Sequence, residues 1–453
     1  MATQAQSVQG LPLPAYLARL RLPSGAVLTA TLLALVLQWV IARIYASLVV
    51  DLFGGARTAH AVGGVVVAIA YAFTAIASAA CALYCERRPG PSRIIVVIHL
   101  LAVIIPLQAL VAAQFELARP EFAAVVALAY IGVLAFGALM PDVQVPPAGT
   151  RVRVAVFILA SLVTAYVFAS LVAGGGLARA NFNLAAVYDV REQFLEHLAP
   201  FMGYLVPWQG SVINPALMLL GFKRRSPLVV LLGLGLQLFL FSMTGFRSFL
   251  LLPALLVGLM LIGRRRHLTA VALTGVLSVV AIALGIYAWL DLAVVPALLV
   301  DRVIVIPAEI HYWYYDFFGT HGQAPLQLSQ SVLSAVTSAY YSAPIAEVIG
   351  WKYMGSAASA NVGVFGDAFA NFGFPGCFIF ALLFSLLLKS VDAAGRTTDP
   401  RIAAALVGMP AFQLVNSGLL TTILTHGLGL TIIALWLFGS QPPTDERSTG
   451  RST

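Results

Sequence analysis

The stretch DLAVVPALLVDRVIVIPAEIHYWYYDFFGTHG, residues 291–322, opens the longest interruption in a chain otherwise written as apolar runs; the interruption extends from Asp291 to Ala360. It carries Arg302, Glu309, His311, Asp316, His321, Glu347 and Lys352, and an aromatic run from Tyr312 to Phe318 broken only by Asp316. Connections longer than about 15 residues are uncommon unless they are functional or disordered. Disordered segments are poor in aromatic and β-branched residues, so this one is expected to be folded and to carry function. Its flanks decide the fold class. Leu268 to Leu290 before it and Asn361 to Leu388 after it are apolar, and about 20 such residues are needed to cross some 30 Å of hydrocarbon.

Working outward, runs of that length recur along the chain. We read twelve spans: Ala26 to Val50, Ala61 to Tyr84, Arg93 to Gln114, Glu121 to Met140, Arg153 to Ala173, Ala199 to Phe222, Pro227 to Met243, Ser248 to Ile262, Leu268 to Leu290, Asn361 to Leu388, Ile402 to Gly418 and Thr422 to Phe438, the last two joined by a short turn at Leu419 to Thr421. The composition agrees. Hydrophobic residues make up 60% and charged ones 10%, against roughly 25% charge in a soluble domain, and the mean hydropathy is +0.93. The fold class is therefore all-α, a polytopic integral membrane protein. Residues 1–25 lack the apolar core and small-residue cleavage site of a signal peptide, so the first run is expected to remain as a span.

Orientation follows from Lys and Arg in alternate connections. With the N-terminus inside, 18 of the 26 fall in inner segments and 7 in outer ones, with Arg43 inside the first span. This predicts cytoplasmic termini, residues 1–25 and 439–453, around a membrane domain 26–438 with enlarged outer loops 3 (about 174–198) and 5 (about 291–360), both containing short helices. The net charge of +8 then reflects topology and attraction to anionic lipid, and no nucleic acid is implied. Cys81, Cys85 and Cys377 stand in or beside apolar runs, so they make neither a disulfide framework nor a metal site and are expected to pack as small hydrophobes.

The candidate site residues lie toward the outer side. Arg247, in the string TGFRS (Thr244 to Ser248), joins two closely linked spans; a guanidinium fork there suits a phosphate or diphosphate, and the alternative is snorkelling to headgroups. Arg43 offers the same choice. In loop 3, Leu184, Val187, Val190, Phe194 and Leu198 fall at about helical spacing beside Arg191, Glu192 and Glu196, which predicts an amphipathic helix. In loop 5, His311 has the unperturbed pKa of a general base, with Glu309 and Arg302 nearby. Tyr315 and its neighbours either stack on sugar or form an interfacial belt. Asp367 and Asn371 in NVGVFGDAFANFGFPG (Asn361 to Gly376) are one helical turn apart, on one face at the entrance of a span. Nucleotide-binding loops, zinc-binding helices and nucleophile elbows are absent from the sequence.

Twelve spans with inner termini, the enlarged third and fifth outer loops, the TGFRS string and the GDAFANFGFPG string together resemble the oligosaccharide repeat-unit polymerases of bacterial surface polysaccharides, the O-antigen polymerase (Wzy-type) family. The resemblance implies a glycosyltransferase of the bacterial inner membrane acting in lipopolysaccharide biosynthesis without metal or other cofactor. Its partners would be undecaprenyl-diphosphate-linked oligosaccharide, membrane lipids and a chain-length regulator. It implies Arg247, Arg191 and Arg302, with Arg43, Asn371 and Tyr315, as diphosphate or glycan ligands, and a base drawn from His311, Asp367 or Glu309. The chain departs from the family in lacking the Gly some members carry eleven positions after each loop arginine: Met202 and Trp313 stand there. An O-antigen ligase or a flippase for lipid-linked sugars is the alternative expectation.

Overall fold

A backbone surrounded by hydrocarbon must satisfy its polar groups internally, and the apolar runs do so as helices. The computed structural model describes residues 24–49, 63–183, 186–196, 198–331, 334, 340–356 and 358–440. Among them the helices are α1 (Gly25–Val49), α2 (Gly64–Arg87), α3 (Ser92–Ala112), α4 (Pro120–Leu139), α5 (Thr150–Ala173), α6 (Val187–Glu196), α7 (Met202–Lys223), α8 (Pro227–Thr244), α9 (Arg247–Ile262), α10 (Leu268–Leu290), α11 (294–320), α12 (Ile345–Met354), α13 (Val364–Gly395), α14 (Pro400–Gln413), α15 (Leu419–Leu424) and α16 (Leu428–Phe438). No strand occurs among the described residues. The expected terminal segments (all but 24, 25, 439 and 440), Arg57, Leu184 and His197 lie outside the described residues.

Nine of these helices are long and apolar enough to cross a membrane: α1 to α5, α7, α8, α10 and α13. Three further expected spans are shorter. α9 has 16 residues and α14 has 14. The last run is divided into α15 and α16, of 6 and 11 residues. The turn expected at Leu419 to Thr421 is helical instead, and the chain breaks on either side of α15, at 414–418 and at 425–427, where Gly427 adopts φ +83°.

α3 is the axis: 83% of its apolar window is inside the protein, against 11% for α5, and α1, α2, α4, α10, α11, α13 and α14 all pack on it. Lipid is as apolar as a leucine side chain, so helices associate through close packing and polar contacts. Ala30 and Ala34 on α1, and Ala77 and Cys81 on α2, are buried at i, i+4 spacing, which lets backbones approach. Cys81, Cys85 and Cys377 are free and buried. A second, smaller core, including Val167, Val187, Phe194, Val206, Phe241 and Phe249, joins α5 to α9. Beside it runs a polar chain: Thr164 Oγ1 donates to Gln209 Oε1 (3.1 Å), Gln209 Nε2 to Asn214 Oδ1 (2.7 Å), Asn214 Nδ2 to Gln237 Oε1 (2.9 Å), and Gln237 Nε2 to the carbonyls of Gly210 (3.1 Å) and Phe249 (3.0 Å).

Segment 291–360, expected to hold short helices, contains one in α12 but also a long one, since α11 is unbroken from 294 to 320. Pro307 lacks an N–H, and its ring crowds the carbonyl four residues earlier, which ordinarily ends a helix. Here the turns before it, Ala297–Val305, are π-helical and absorb the extra backbone. The device recurs: π-helical Leu100–Ile104 precedes Pro106 in α3, and Gln209–Ile213 precedes Pro215 in α7.

α13 is folded rather than straight. Gly373 adopts φ 64°, ψ −154°, a region essentially restricted to glycine. Cys377 Sγ lies 3.7 Å from the carbonyl oxygen of Phe365, although twelve residues of straight helix would separate those positions by about 18 Å. The half-helix 364–372 therefore doubles back along the start of the longer half. A Cβ on Gly376 would sit 2.3 Å from the Ala368 oxygen.

Candidate functional site at the TGFRS turn

Two groups of the expected residues are brought together by the fold. The first forms where α8 turns into α9. Thr244 ends α8, Gly245 caps it at φ +68°, and Arg247 begins α9. α6 packs across this turn through buried Val187, Val190 and Phe194, the apolar stripe of the expected amphipathic helix. A Cβ at Gly245 would lie 2.4 Å from the Val187 oxygen, so glycine is required both for the left-handed backbone and for the approach of α6.

Two guanidinium groups, those of Arg191 and Arg179, bond to backbone carbonyls at the turn, and Arg247 belongs to the turn itself. Arg191 Nη2 donates to the Gly245 carbonyl at 3.1 Å, and its guanidinium lies 4.8 Å from the centre of the Phe246 ring. Arg179, in the four-residue turn Gly176–Arg179 after α5, donates through Nε to Met243 O (3.1 Å) and through Nη1 to Gly174 O (2.5 Å). It also lies 6.0 Å from the Phe194 ring. Partial burial draws Arg179 below its ordinary pKa, yet arginine stays charged. Arg247 is half-buried beside them. An open cleft of about 560 Å³ is lined by Arg191, Glu192, Leu195 and Glu196 of α6. The Arg191 guanidinium suits phosphate oxygens, and the cleft's carboxylates can accept from sugar hydroxyls.

The second group lies between α11, α13 and the break after α14. Asn371 Nδ2 donates to the Asp367 carbonyl (2.8 Å) and carboxylate (3.2 Å), and its Oδ1 accepts from the Leu328 N–H at 2.7 Å. The start of the half-helix meets the break, Val364 N donating to Leu414 O at 3.3 Å. A Cβ on Gly418 would lie 2.4 Å from Asp367 Oδ2. His311 packs against Gly366, its Cδ2 3.2 Å from where a Cβ would stand there. Its Nδ1 lies 2.6 Å from the Pro307 oxygen, so Nδ1 carries the proton and Nε2 is the basic atom. Burial pulls His311 down to about 4, which keeps it neutral and weakly basic near pH 7. Glu309 is 0% and His311 1% exposed, whereas Asp367 retains some exposure. Tyr315 donates to Glu121 Oε1 at 3.0 Å; burial first, and then this carboxylate, push its phenol up to about 12.

Arg302 and Arg43 stand apart on exposed surfaces of α11 and α1, Arg43 lying 5.9 Å from the Trp39 ring, the geometry of a snorkelling side chain. Arg179 enters the first group although sequence reading counted it only as an outer charge; its position just after Gly174 to Gly176 was the available signal.

Two consequences can be measured. Gly245→Ala places a side chain in left-handed backbone, at about 1–3 kcal/mol, and pushes α6 off the turn. The variant is expected to melt earlier in detergent and to be cut faster by trypsin at Arg191; unchanged melting and cleavage would remove the glycine's double role. Asn371→Ala leaves the Leu328 N–H without its acceptor, a loss of about 1–3 kcal/mol. Limited proteolysis within 321–331 should then accelerate, and an unaltered digestion pattern would show that other contacts hold this strand.

Comparison with known protein families, with curated proteins and with solved structures finds no match to this chain.

Proposed function

We propose that this membrane protein polymerises polyprenyl-diphosphate-linked oligosaccharide repeat units on the periplasmic face of the bacterial inner membrane. The observation that carries the reading is one turn that contains Arg247 and is bonded by Arg179 and Arg191, the last of which also lines an open cleft. A sugar hydroxyl of the acceptor attacks the anomeric carbon of the donor. The bond from that carbon to the diphosphate oxygen breaks, and its electron pair leaves with polyprenyl diphosphate. The proton of the hydroxyl passes to a base. Fixed cations beside the leaving diphosphate stabilise charge as it develops, without reorganisation at the moment of reaction. Among the three expected bases, Asp367 is the best supported, since Glu309 and His311 are sealed in the protein.

A second reading is favoured by one observation. The doubled-back half-helix 364–372 meeting the break at 414–418 is the discontinuous-helix arrangement that secondary transporters build around a substrate. Flipping of lipid-linked glycan is therefore the competing function. Transfer to a lipid A core, the ligase reaction, would use the same cations and differs only in acceptor.

The test supplies purified protein in lipid with synthetic undecaprenyl-diphosphate-linked repeat units and no nucleotide. A ladder of products spaced by one repeat supports polymerisation. Glycan moving only when lipid A core is added would replace it with ligation, and translocation of a fluorescent lipid-linked sugar in proteoliposomes without any new glycosidic bond would replace it with transport.

A further inference from the structure

A cavity of about 270 Å³ opens at the arginine-rich end of the bundle, away from the TGFRS turn, between the α2–α3 and α4–α5 connections and the end of α13. Its polar lining is Arg88, Arg93, Lys389 and Arg396 with two carboxylates, Asp142 and Asp392. Two of these groups are committed to the fold. Asp392 accepts from Ser92 N (2.9 Å) and Ser92 Oγ (2.7 Å), capping the start of α3 from α13. Arg93 donates to Gly263 O (2.5 Å) and Arg265 O (3.3 Å), closing the cavity floor.

Of the four that remain, Lys389, Arg88 and Asp142 are held differently, as one cluster. The Lys389 side chain is only 8% exposed, and its ammonium donates to Asp142 Oδ1 at 2.7 Å. Arg88 donates to the same oxygen through Nη1, and to Ala138 O at 2.7 Å through Nη2. Asp142 lies in the irregular connection 141–149 with a side chain 65% exposed. Lys389's hydrogen bond, aided by Arg88, holds its carboxyl below the usual range. A lysine buried in a bundle thus depends on an exposed, loop-borne oxygen. That oxygen occupies the point between ammonium and guanidinium where a phosphate oxygen would bind.

We infer that this cavity is a binding site for the phosphate headgroup of an anionic phospholipid, with Arg88 and Lys389 as its ligands and Asp142 as a built-in competitor for them. Basic pockets between membrane helices at headgroup depth suit this ligand. The volume equals that of roughly nine waters, which fits a phosphate with a small polyol and excludes a glycan chain. Free phosphate offers the same oxygens, but only the lipid can lay an acyl chain against Val143, the exposed apolar residue at the cavity's edge. The inference stands independently of the polymerase reading.

The purified full chain in detergent is titrated with phosphatidylglycerol, phosphatidylcholine or inorganic phosphate, and bound lipid is counted by native mass spectrometry alongside thermal unfolding. Phosphatidylglycerol is expected to be retained in preference to phosphatidylcholine and to raise the melting temperature. Asp142→Asn removes the competitor, so phosphatidylglycerol should bind about 5-fold tighter or more. The variant's melting temperature should fall without lipid and recover with phosphatidylglycerol. Lys389→Gln should abolish the preference; because this residue is buried, the Asp142→Asn arm carries the decision if that variant misfolds. Equal retention of both lipids, a loss in Asp142→Asn that no lipid restores, or stabilisation by inorganic phosphate alone would each overturn the assignment.

Discussion

Arg247→Ala should reduce the product ladder by about 100-fold or more while leaving the protein in the membrane at normal abundance. Deleting one preorganised donor to a developing anion lowers turnover by roughly 10²–10³-fold in enzymes that depend on such charge, and a diphosphate leaving group concentrates the demand. Arg247 opens α9 next to the Gly245 carbonyl that Arg191 grips, so its side chain adds charge to a group already fixed in place. Lysine at 247 keeps the charge but loses the fork, and bidentate contact does not survive that exchange. A low ladder yield in Arg247→Lys would therefore identify two-point phosphate binding, and full yield would identify a point charge. Wild-type chain lengths from Arg247→Ala, with the protein folded, would remove the leading site residue altogether.

Gly373→Ala is expected to have the next largest effect, and it acts on the fold. At φ 64°, ψ −154° a methyl group meets backbone that only glycine tolerates, at about 1–3 kcal/mol before any repacking. The strain is relieved only if 364–372 swings away from the longer half of α13. That movement takes Asp367 from Gly418 and Asn371 from Leu328 together. The readout is accessibility of Cys377, buried at 0% exposure, to a thiol reagent in detergent. Labelling should rise from undetectable to near completion in Gly373→Ala; protection equal to wild type would mean that the fold-back survives without its glycine.

Much of the helical layout was legible because a bilayer imposes one length on every crossing. Leu268 to Leu290 matches α10 at both ends, and Pro227 marks the start of α8, the first helical position being the one proline favours. Misreadings arose where backbone chemistry overrode hydropathy. Segment 291–360 was read as short helices, but the wide turn before Pro307 carries α11 through. The string Asn361 to Gly376 was read as the entrance of a span, and nothing in it indicated that the chain reverses at Gly373. The run from Ile402 to Phe438 is apolar enough for two crossings, yet Gly418 and Gly427 divide it into shorter pieces. At the site, Arg191 and Arg247 were recognisable as candidates from their outer position. The bond from Arg191 to the turn that holds Arg247 was not, because it depends on α6 crossing a turn more than fifty positions away in sequence. Arg43 and Arg302 shared the same outward signature but lie on exposed surfaces.

The wide turns of α3 and α11 have a mechanical consequence. Leu100–Ile104 and Ala297–Val305 pack against each other, so two loosened hydrogen-bond ladders meet along one seam in an otherwise stiff bundle. A small rotation of α11 against α3 would meet its least regular backbone there. Such a rotation would carry Glu309, His311 and Tyr315 with it, since they follow Ala297–Val305 on the same helix.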